Sequence, residues 1–504
     1  MNLAGAFADS VQKHSEKTAL FWGERAYSYS ELWSHSLFVA GVLRHQFGVK
    51  PGDRVGLWLK NCPEFVPALF GILQAGAVVV PINNFLKPDE VNFMLGDGGI
   101  DIIITDAELS AHFHTLKAAR PALKLLNVEN VLAAFPIPPG NLKFDTEILK
   151  NPARRESDLA ILVYTSGTTG RPKGAMLSHG NLLHNVESCR LVLQTVEHDR
   201  FAVLLPMFHS YMLTVGLLLP LLVGGSIVLV KSLHPVRNVI QEIFARGATV
   251  LPAIPQFYRS MANAEIPVQL PLRICISGSA PLPVQVLKDF EKRFGIPLIE
   301  GYGLSEASPV VAKNPLDRTR KPGSIGLPVP NVEMSVQDDA GRMLGAREPG
   351  EICVRGGNVM LGYWNQPEET AKAFRNGWLL TGDLGYRDED GYYYITDRKK
   401  DMLLVNGNNV YPREIEEVIH QFPNVKEAAV VGQLDSRRGE QPIAFVVPNE
   451  GATVDPEDLL KFVRSKLADY KVPRRVIQIP ALPRNATGKI LKTELQQQIP
   501  REQP

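Results

Sequence analysis

Cysteine, net charge and long apolar runs are all scarce in this chain of 504 residues. The four cysteines are scattered and none forms a Cys-x-x-Cys pair, so we expect buried free thiols in a reducing compartment. The net charge of +1 points neither to nucleic acid nor to an acidic partner. Internal repeats and long low-complexity segments are missing as well, which excludes repeat architectures.

One stretch that could mislead a hydropathy scan is Leu213–Val230, which has 18 residues without a charge. It contains Pro220 and the pair Gly224-Gly225, followed by β-branched residues, and therefore predicts a helix, a turn and a buried strand rather than a membrane span. The first residues lack a basic region followed by an apolar core, so no signal peptide is predicted. A cytoplasmic location is expected.

Hydrophobic residues make up 45% of the chain and charged residues 21%, as in ordinary globular proteins, and the length suggests about three domain-sized units. Short apolar runs alternate with helical patterns, which predicts layered α/β subdomains with largely parallel sheets. The strand-like runs are 54–59, 77–81, 100–105, 227–230 and 273–277, and the helical patterns include 29–43 and 284–294.

The pattern changes after about residue 325. Segments 332–337, 350–355 and 392–396 read as short strands between Gly, Pro and Asp turns, which predicts a smaller β-rich subdomain at about 325–396. The charged run Asp397–Asp401 then precedes another αβ series, at a place where a linker is expected. Residues 461–492 hold nine Lys/Arg and one acid, Asp469. This basic segment is either a solvated face or a contact with an anionic ligand.

The most informative segment is the loop 164–174, which follows the apolar run Leu159–Val163. Glycines let successive backbone N–H groups face one point, and hydroxyls and a lysine add further donors, so the loop predicts a polyphosphate site. It is not a Walker A motif, because Gly167, Gly170 and Lys173 are three residues apart. A plain turn is the less favoured alternative. Its candidate ligand-binding residues are Thr165, Ser166, Gly167, Thr168, Thr169, Gly170 and Lys173.

Three further motifs follow at long separations. They are Glu300-Gly301-Tyr302-Gly303-Leu304-Ser305-Glu306, then 377–383 (GWLLTGD) with 391–398 (GYYYITDR), and finally 483–489 (PRNATGK). With the loop at 164–174, these motifs resemble the adenylate-forming superfamily across essentially the whole chain. Within it, the chain is most similar to bacterial long-chain fatty-acid–CoA ligases, notably at 303–309 and 397–402.

The resemblance implies a reaction in two halves. A carboxylate attacks the α-phosphorus of ATP to give an acyl-adenylate and pyrophosphate, and the thiol of coenzyme A then attacks the acyl carbonyl and expels AMP. It also implies Mg²⁺ as a cofactor. The implied domains are an adenylation domain over 1–396, a hinge at 397–400 and a small mobile α+β domain over 401–504.

For the polyphosphate, the resemblance implies that Thr165 to Lys173 wrap the β- and γ-phosphates and leave with pyrophosphate. Glu306 is a carboxylate in a phosphate site, which makes sense if a cation lies between them, so we assign it to Mg²⁺ with Thr165 as a second ligand. A carboxylate at a helix start is the alternative for Glu306. Ser305 is expected to contact the α-phosphate.

For the nucleoside, Tyr302 is flanked by glycines that would clear space for a ring, so stacking on adenine is expected; a core tyrosine is the alternative. Asp383 suits the ribose hydroxyls, and the resemblance places Arg398 at the same edge. Lys489 is implied as the lysine that bridges the attacking carboxylate and the α-phosphate. Further residues expected around the nucleotide are Ser279, Ala280, Glu300, Gly301 and Gly303.

The resemblance also implies a rotation of the C-terminal domain between the two half-reactions, with Lys400 at the hinge. Rotation would withdraw Lys489 and present Gly407, which leaves room for the pantetheine arm because it has no side chain. Asn408 stands where a larger residue is common in the family.

The carboxylic acid substrate is inferred from residues 206–213 (PMFHSYML), which match the acyl-pocket motif of the family. Relatives that activate amino acids usually place Asp where this chain has His209, so an amino acid is not expected. His209 is assigned to catalysis, where it orients the carboxylate or gates the pocket; a packed histidine is the alternative. An apolar wall containing Met212 favours a medium- or long-chain fatty acid.

Other functions stay open at this stage. They are an aryl-CoA ligase of the coumarate type, a luciferase-like oxygenase, and a nucleotide or acyl-adenylate binding protein without turnover. The presence of both Lys489 and Gly407 argues against the last, since each serves one half-reaction. Peripheral contact with the inner face of a membrane is considered only because fatty acids partition there, and both a monomer and a homodimer are compatible with the sequence.

Overall fold

The computed structural model describes residues 1–129, 154–165, 172–233, 235–406, 408–435, 439–485 and 488–499. Most strands and helices are short and alternate along the chain. The strands are β1 Thr18–Trp22, β2 Arg25–Ser28, β3 Arg54–Trp58, β4 Val78–Pro81, β5 Ile102–Thr105, β6 Lys124–Asn127, β7 Leu159–Thr165, β8 Lys173–Ser178, β9 Arg200–Val203, β10 Ser226–Leu229, β11 Val250–Ala253, β12 Ile274–Ser277, β13 Leu298–Gly303, β14 Val310–Lys313, β15 Leu327–Pro328, β16 Val332–Gln337, β17 Gly350–Gly356, β18 Phe374–Arg375, β19 Trp378–Arg387, β20 Tyr393–Arg398, β21 Leu403–Val405, β22 Asn408–Val410, β23 Val425–Asp435, β24 Gly439–Pro448 and β25 Arg475–Gln478.

The helices begin and end at residues that local chemistry selects. For example, Ser28 and Glu31 form a reciprocal capping box that starts the helix Tyr29–His45, and Gly295 in the left-handed conformation ends the helix Val284–Phe294. The α-helices are α1 Leu3–His14, α2 Tyr29–His45, α3 Phe65–Gln74, α4 Pro88–Asp97, α5 Phe113–Ala119, α6 His179–Leu193, α7 Leu219–Val223, α8 Val236–Arg246, α9 Pro255–Asn263, α10 Val284–Phe294, α11 Pro367–Ala373, α12 Pro412–Ile419, α13 Pro456–Arg464 and α14 Lys492–Gln497.

Two large sheets carry most of the N-terminal region. Among the described residues, one sheet has the order β15-β14-β13-β12-β11-β9-β10-β1-β2 and the other β6-β5-β3-β4-β7-β8. Their inner pairs are parallel, and antiparallel pairs lie toward the edges, at β1–β2, β7–β8 and β13–β14–β15. The prediction of layered α/β subdomains with largely parallel sheets is therefore confirmed.

A large hydrophobic core joins the two sheets through helices that are buried on most of their surface. Every residue of α3 is buried, which explains why its sequence is apolar all round. The uncharged stretch 213–230 belongs to this core and forms a π-helix at Met212–Leu218, then α7, the turn at Gly224 and the buried β10. No helix among the described residues has the length and apolar character needed to cross a bilayer.

The β-rich subdomain expected at about 325–396 is an antiparallel sheet of the order β16-β17-β19-β18, with β20 paired to β19. The C-terminal region has its own sheet, β22-β21-β24-β23 with β25 beside β24, and its own apolar cores under α12, α13 and α14. These two sheets, together with the layered α/β region, give a large N-terminal domain and a small C-terminal one.

The charged run 397–401 is only partly a surface connection. Asp397 and Arg398 complete β20, and Asp397 is buried where it accepts the backbone N–H of Arg413 at the start of α12 (3.0 Å). Lys399 and Lys400 lie exposed in the following turn. This hydrogen bond thus ties the last strand of the β-rich sheet to the first helix of the C-terminal domain, although β21 and β22 lie between them in the chain.

The basic segment 461–492 resolves into internal ion pairs for five of its nine cations. Pairs within the C-terminal domain join Lys461 to Asp458, Arg464 to Asp469, Lys471 to Glu414, Arg484 to Glu427 and Lys492 to Glu416. Four of these acids lie outside the segment itself, and three of them, Glu414, Glu416 and Glu427, are distant from it in sequence. The apparent excess of positive charge is therefore partly balanced by acids that are distant in sequence.

Candidate active site

The ends of the glycine-rich loop are fixed by a β-hairpin. β7 and β8 pair antiparallel, and Thr165 lies opposite Lys173 at the point where the loop leaves the sheet. Residues Ala160 to Val163 are buried, which confirms the strand expected before the loop. Ser166, Gly167, Thr168, Thr169 and Gly170 lie outside the described residues, as does Gly407.

A segment that the sequence analysis did not single out runs beside β8. The backbone N–H of Trp364 donates to Gly174 (2.8 Å), and Tyr363 pairs with Ala175 as an isolated bridge. The same segment reaches Glu306, because the N–H of Met360 donates to its carbonyl oxygen (2.8 Å). Residues 360–364 therefore link the loop hairpin to the motif that carries Glu306.

Tyr363 lies between Lys173 and Glu306. Its hydroxyl donates to the Glu306 carboxylate (2.9 Å), and the Lys173 ammonium lies 5.3 Å from the centre of its ring. Lys173 also forms an ion pair with Glu369 on α11. The structure thus brings together Thr165, Lys173 and Glu306, and adds Tyr363 and Glu369. The Gly-Tyr-Trp sequence at 362–364 is the signal that could have identified this segment.

The nucleoside motifs meet because β19 and β20 place Asp383 opposite Arg398 in the sheet. The Arg398 Nε–H donates to one carboxylate oxygen of Asp383 (3.0 Å), and the Tyr302 hydroxyl donates to the other oxygen. Burial, followed by the charge of Asp383, raises the pKa of Tyr302 well above its ordinary value, so the hydroxyl stays protonated and acts as a donor.

The two glycines beside Tyr302 differ in their surroundings. A Cβ at Gly303 would lie 2.2 Å from the carbonyl oxygen of Pro309, whereas a Cβ at Gly301 would meet nothing nearer than 3.8 Å. Gly301 thus has space beside it, whereas Gly303 lies against the backbone of Pro309. Its missing side chain allows the backbone of the next loop to approach.

Glu300 is buried at the base of the same motif. Its carboxylate accepts a hydrogen bond from the backbone N–H of Leu282 (3.0 Å). Leu282 closely follows Ala280 and the exposed Ser279, whose backbone is left-handed with φ +67°. Burial raises the pKa of Glu300 to about 7, although Arg413 of the C-terminal domain and the Leu282 N–H oppose the shift. Glu300 therefore titrates near neutrality.

The acyl-pocket motif follows β9 and leads into the π-helix. The Tyr211 hydroxyl donates to Ile276 (3.0 Å), and its ring packs so closely on Gly278 that a Cβ there would lie 3.1 Å away. Segments 207–213 and 277–281 thus form one wall. Ser210 and Ser305 share a hydrogen bond between their hydroxyls (2.9 Å), which connects this wall to the motif of Glu306.

His209 lies at the start of this wall. Burial lowers its pKa to about 4, so it is neutral at physiological pH. Its Nδ1 accepts the N–H of Tyr211 (3.3 Å), which leaves the proton on Nε2 as a donor. The side chain can therefore donate a hydrogen bond to a carboxylate but does not attract it with a full charge.

Lys489 reaches the cleft from the C-terminal domain. Its loop packs on the N-terminal domain, since a Cβ at Gly488 would lie 2.7 Å from Ile254 Cδ1. The Lys489 side chain keeps contact with solvent. Desolvation in the cleft, together with the cations Arg398 and Lys400, lowers the pKa of Lys489 to about 8, while Asp383 and Asp401 act in the opposite direction. Lys489 therefore lies next to Asp383 and Arg398, the two residues expected at the ribose.

This geometry defines a class. A polyphosphate-type hairpin, an aromatic residue beside a carboxylate–arginine pair, and a lysine from a second small domain surround one cleft, as expected of an enzyme that joins a carboxylate to a nucleotide. A family model described as AMP-binding enzyme matches residues 7–364, and one described as AMP-binding enzyme C-terminal domain matches 414–489. The chain belongs to this family of adenylate-forming enzymes.

The chain resembles several named relatives over nearly its full length. It is 37% identical to a long-chain-fatty-acid–CoA ligase of Bacillus subtilis (98% of this chain, 94% of that protein). It is also 37% identical to a feruloyl-CoA synthase of an Amycolatopsis species (96% of each). Among solved structures, ATP-bound MatB of Rhodopseudomonas palustris matches with a TM-score of 0.89 and 33% identity, covering 99% of each chain.

Proposed function

We propose that this AMP-forming acid–CoA ligase activates a medium- or long-chain fatty acid. ATP, Mg²⁺ and coenzyme A are its co-substrates and cofactor. In the first step the carboxylate oxygen bonds to the α-phosphorus and pyrophosphate leaves; in the second the thiol sulfur bonds to the acyl carbon, AMP leaves, and the thiol proton is released.

The acyl wall carries this proposal. Phe208, Tyr211, Met212 and Leu213 are buried and apolar, and His209 is neutral. A chain without charge is therefore favoured over an amino acid or a dicarboxylate, because a buried second charge would need a partner. Met212 fills the space beside Gly216, and methionine adapts readily to a flexible alkyl chain. The fatty-acid ligase of B. subtilis supports the same choice.

An aryl-CoA ligase is the second candidate, because the feruloyl-CoA synthase is equally similar to this chain. To separate the two, the purified enzyme is supplied with ATP, Mg²⁺, coenzyme A and each of a panel of acids: C6 to C18 fatty acids, coumarate, ferulate and benzoate. We expect kcat/KM for the best fatty acid to exceed that for every aromatic acid by about 100-fold or more, since several additional buried methylenes each contribute about 0.8 kcal/mol. Preference for an aromatic acid would overturn the proposal.

For the nucleotide, we assign Tyr302 to stacking on adenine, beside Glu300, Gly301 and the segment containing Ser279 and Ala280. The Asp383 carboxylate uses one lone pair on each oxygen for Tyr302 and Arg398. A carboxylate offers about four such sites, so two acceptor positions are left for the ribose hydroxyls. Ser305 is assigned to the α-phosphate.

The oxygen donors beside the loop fit Mg²⁺. The Glu306 carboxylate takes a hydrogen bond from the neutral Tyr363 hydroxyl. No group of three His, Cys, Asp or Glu side chains among the described residues could hold a metal ion by itself. Mg²⁺ is usually held by one or two protein oxygens together with substrate phosphates, and the Glu306 carboxylate supplies such an oxygen beside the loop. Glu306 and Thr165 would be its protein ligands, and the bound ion would neutralise charge on the phosphate oxygens.

We assign Lys489 to the bridge between the attacking carboxylate and the α-phosphate, and Lys173 to the leaving pyrophosphate. Lys489→Ala should lower acid-dependent exchange of labelled pyrophosphate into ATP by about 100-fold or more, as expected for a group that stabilises the transition state. Thioester formation from supplied acyl-adenylate should be spared. An equal loss in both half-reactions would contradict this division of roles.

The C-terminal domain, from residue 401 onward, is proposed to rotate about 397–400 between the two half-reactions, so that Gly407 replaces Lys489 near the acyl carbon. Lys400 is exposed in the turn after β20, as a hinge residue should be. Lys400→Pro should uncouple the half-reactions, with exchange retained and overall acyl-CoA synthesis lost, because proline fixes φ. Unchanged overall turnover would remove the hinge assignment.

A further inference from the structure

Glu369 is held beside the loop hairpin by backbone contacts. The helix α11 that carries it begins directly after the segment paired with β8, and Thr370 accepts the N–H of Tyr363 (2.8 Å). The N–H of Trp364 donates to Gly174, so the start of α11 is tied to the strand that begins with Lys173. The position of Glu369 relative to Lys173 therefore follows from the fold.

The two oxygens of Glu369 are both engaged by cations. One oxygen forms the ion pair with Lys173, and the other lies 2.7 Å from the ammonium of Lys372. The Lys173 side chain is only 11% exposed and that of Glu369 27%, whereas Lys372 is 70% exposed. The pair with Lys173 is thus the shielded one, where solvent screens charge less.

We propose that Glu369 is an intramolecular stand-in for phosphate. It pairs with the Lys173 ammonium when no nucleotide is bound and is displaced by the polyphosphate of ATP. The ion pair with Lys173 forms again as pyrophosphate leaves. The inference rests on the proposed role of Lys173. Carboxylate and phosphate oxygens offer the same charged acceptors to an ammonium group, so they compete for it.

Repulsion between the Glu369 carboxylate and bound phosphates determines how Glu369 changes ligand affinity. A carboxylate next to a bound polyphosphate is a pair of like charges, which raises the free energy of the complex. Glu369 therefore weakens binding of every ligand that places phosphates on Lys173, including the product pyrophosphate. AMP and the acyl-adenylate lack those phosphates and are not affected. The result is faster release of pyrophosphate at the expense of ATP affinity.

Two other possible roles of Glu369 predict the opposite change in the affinity for ATP and pyrophosphate. If Glu369 holds Lys173 in the correct place for the nucleotide, or binds the cation together with the phosphates, its neutralisation weakens binding of ATP and pyrophosphate. The sign of the effect on these two ligands therefore decides between the three roles.

The test uses the full-length enzyme with Glu369→Gln and, as a matched control, Glu368→Gln. Glu368 is the preceding residue of α11 and is exposed, and the ion pair of Lys173 is with Glu369. We measure the KM for ATP, the inhibition constant of pyrophosphate and the dissociation constant of AMP. Glu369→Gln should lower the first two by about three- to ten-fold and leave the third unchanged, whereas Glu368→Gln should change each by less than about two-fold.

An increase, or no change, in the pyrophosphate constant of Glu369→Gln relative to Glu368→Gln would overturn the inference. The variant Lys173→Ala distinguishes a failure of the inference about Glu369 from a failure of the proposed function of Lys173. If Lys173→Ala leaves pyrophosphate affinity unchanged, Lys173 does not bind the polyphosphate. If it weakens the affinity while Glu369→Gln has no effect, only the inference about Glu369 fails. In the double variant the part of the gain that comes from freeing the Lys173 ammonium should disappear, because that ammonium is gone.

Discussion

Single side chains in the cleft owe their chemistry to their immediate neighbours. Lys489 is the clearest case, since desolvation and the nearby Arg398 and Lys400 bring the pKa of its ammonium to about 8. A lysine in water would stay protonated over the whole physiological range. The proposed transition-state role requires the protonated form, so the neighbours set an upper pH limit for adenylation.

We therefore expect kcat/KM of pyrophosphate exchange to fall above about pH 8, by about ten-fold per pH unit, because kcat/KM reports the pKa of the free enzyme. Exchange is measured without coenzyme A, whose thiol also titrates in this range. In Lys489→Arg the guanidinium keeps its proton, so the variant should be slower but independent of pH up to 10. A decline at the same pH in that variant would assign the titration to another group.

Tyr363 makes a second prediction at the residue scale. Its hydroxyl orients the Glu306 carboxylate, so Tyr363→Phe should raise the Mg²⁺ concentration needed for half-maximal exchange by about ten-fold, as for other residues that orient metal ligands. The control is Tyr394→Phe, since the Tyr394 hydroxyl also faces a carboxylate, that of Asp388, but away from Glu306. An unchanged Mg²⁺ requirement in Tyr363→Phe would show that Glu306 needs no such support.

At the scale of elements, the active site forms where strands end. The segments that follow β9, β11, β12 and β13 all leave the same edge of the large parallel sheet, which brings residues 207–213, 254, 277–281 and 300–306 to one cleft. This is the usual location of ligand sites in open α/β sheets. At the end of β13 the chain turns back to form β14 and crowds Gly303.

The contrast between Gly303 and Gly301 tests this crowding. Gly303→Ala should destabilise the protein by about 1–3 kcal/mol, since the added methyl overlaps the Pro309 carbonyl. Gly301→Ala, two residues earlier on the same strand, should change stability by less than about 0.5 kcal/mol. Thermal unfolding of both variants under identical conditions gives the comparison. Equal losses would indicate that the strand, rather than the contact with Pro309, requires glycine.

At the scale of the whole molecule, the two domains meet over ionisable groups. Glu300 of the N-terminal domain is buried near Arg413 and Glu417 of α12, and burial raises the pKa of both carboxyls. The Asp397 carboxyl, which caps α12, also has a raised pKa of about 6 because of burial. The interface that holds Lys489 over the cleft is therefore sensitive to pH in the neutral range.

Glu300 makes a prediction at the scale of the whole molecule. Its folded-state pKa of about 7 lies above the ordinary 4.5, so the charged form is disfavoured by folding and costs up to about 3 kcal/mol of stability above pH 7. That cost disappears as the pH falls toward 4.5. Glu300→Gln should therefore raise the thermal midpoint more at pH 8 than at pH 5.5. The exposed Glu368→Gln should show no such dependence, and a pH-independent effect of Glu300→Gln would contradict the assignment.

The sequence alone determined much of this protein. Periodicity and β-branched runs located strands such as β16 and helices such as α10 with their observed ends, because those elements bury a regular apolar face. Ordered motifs identified the family and most of the cleft residues, since phosphate and ribose chemistry permits few side chains. Site residues outside these motifs, above all Tyr363 and Glu369, were not predicted from the sequence.

Only the tertiary structure decided which charges face each other. The ion pair of Lys173 with Glu369 joins residues 196 positions apart, and the lowered pKa of Lys489 arises from desolvation and from the cations Arg398 and Lys400, which are distant from it in sequence. Coulomb interactions and desolvation depend on distance through space and on burial, and neither is encoded in local sequence. For the same reason, only the fold showed that Gly303 lies against the backbone of Pro309.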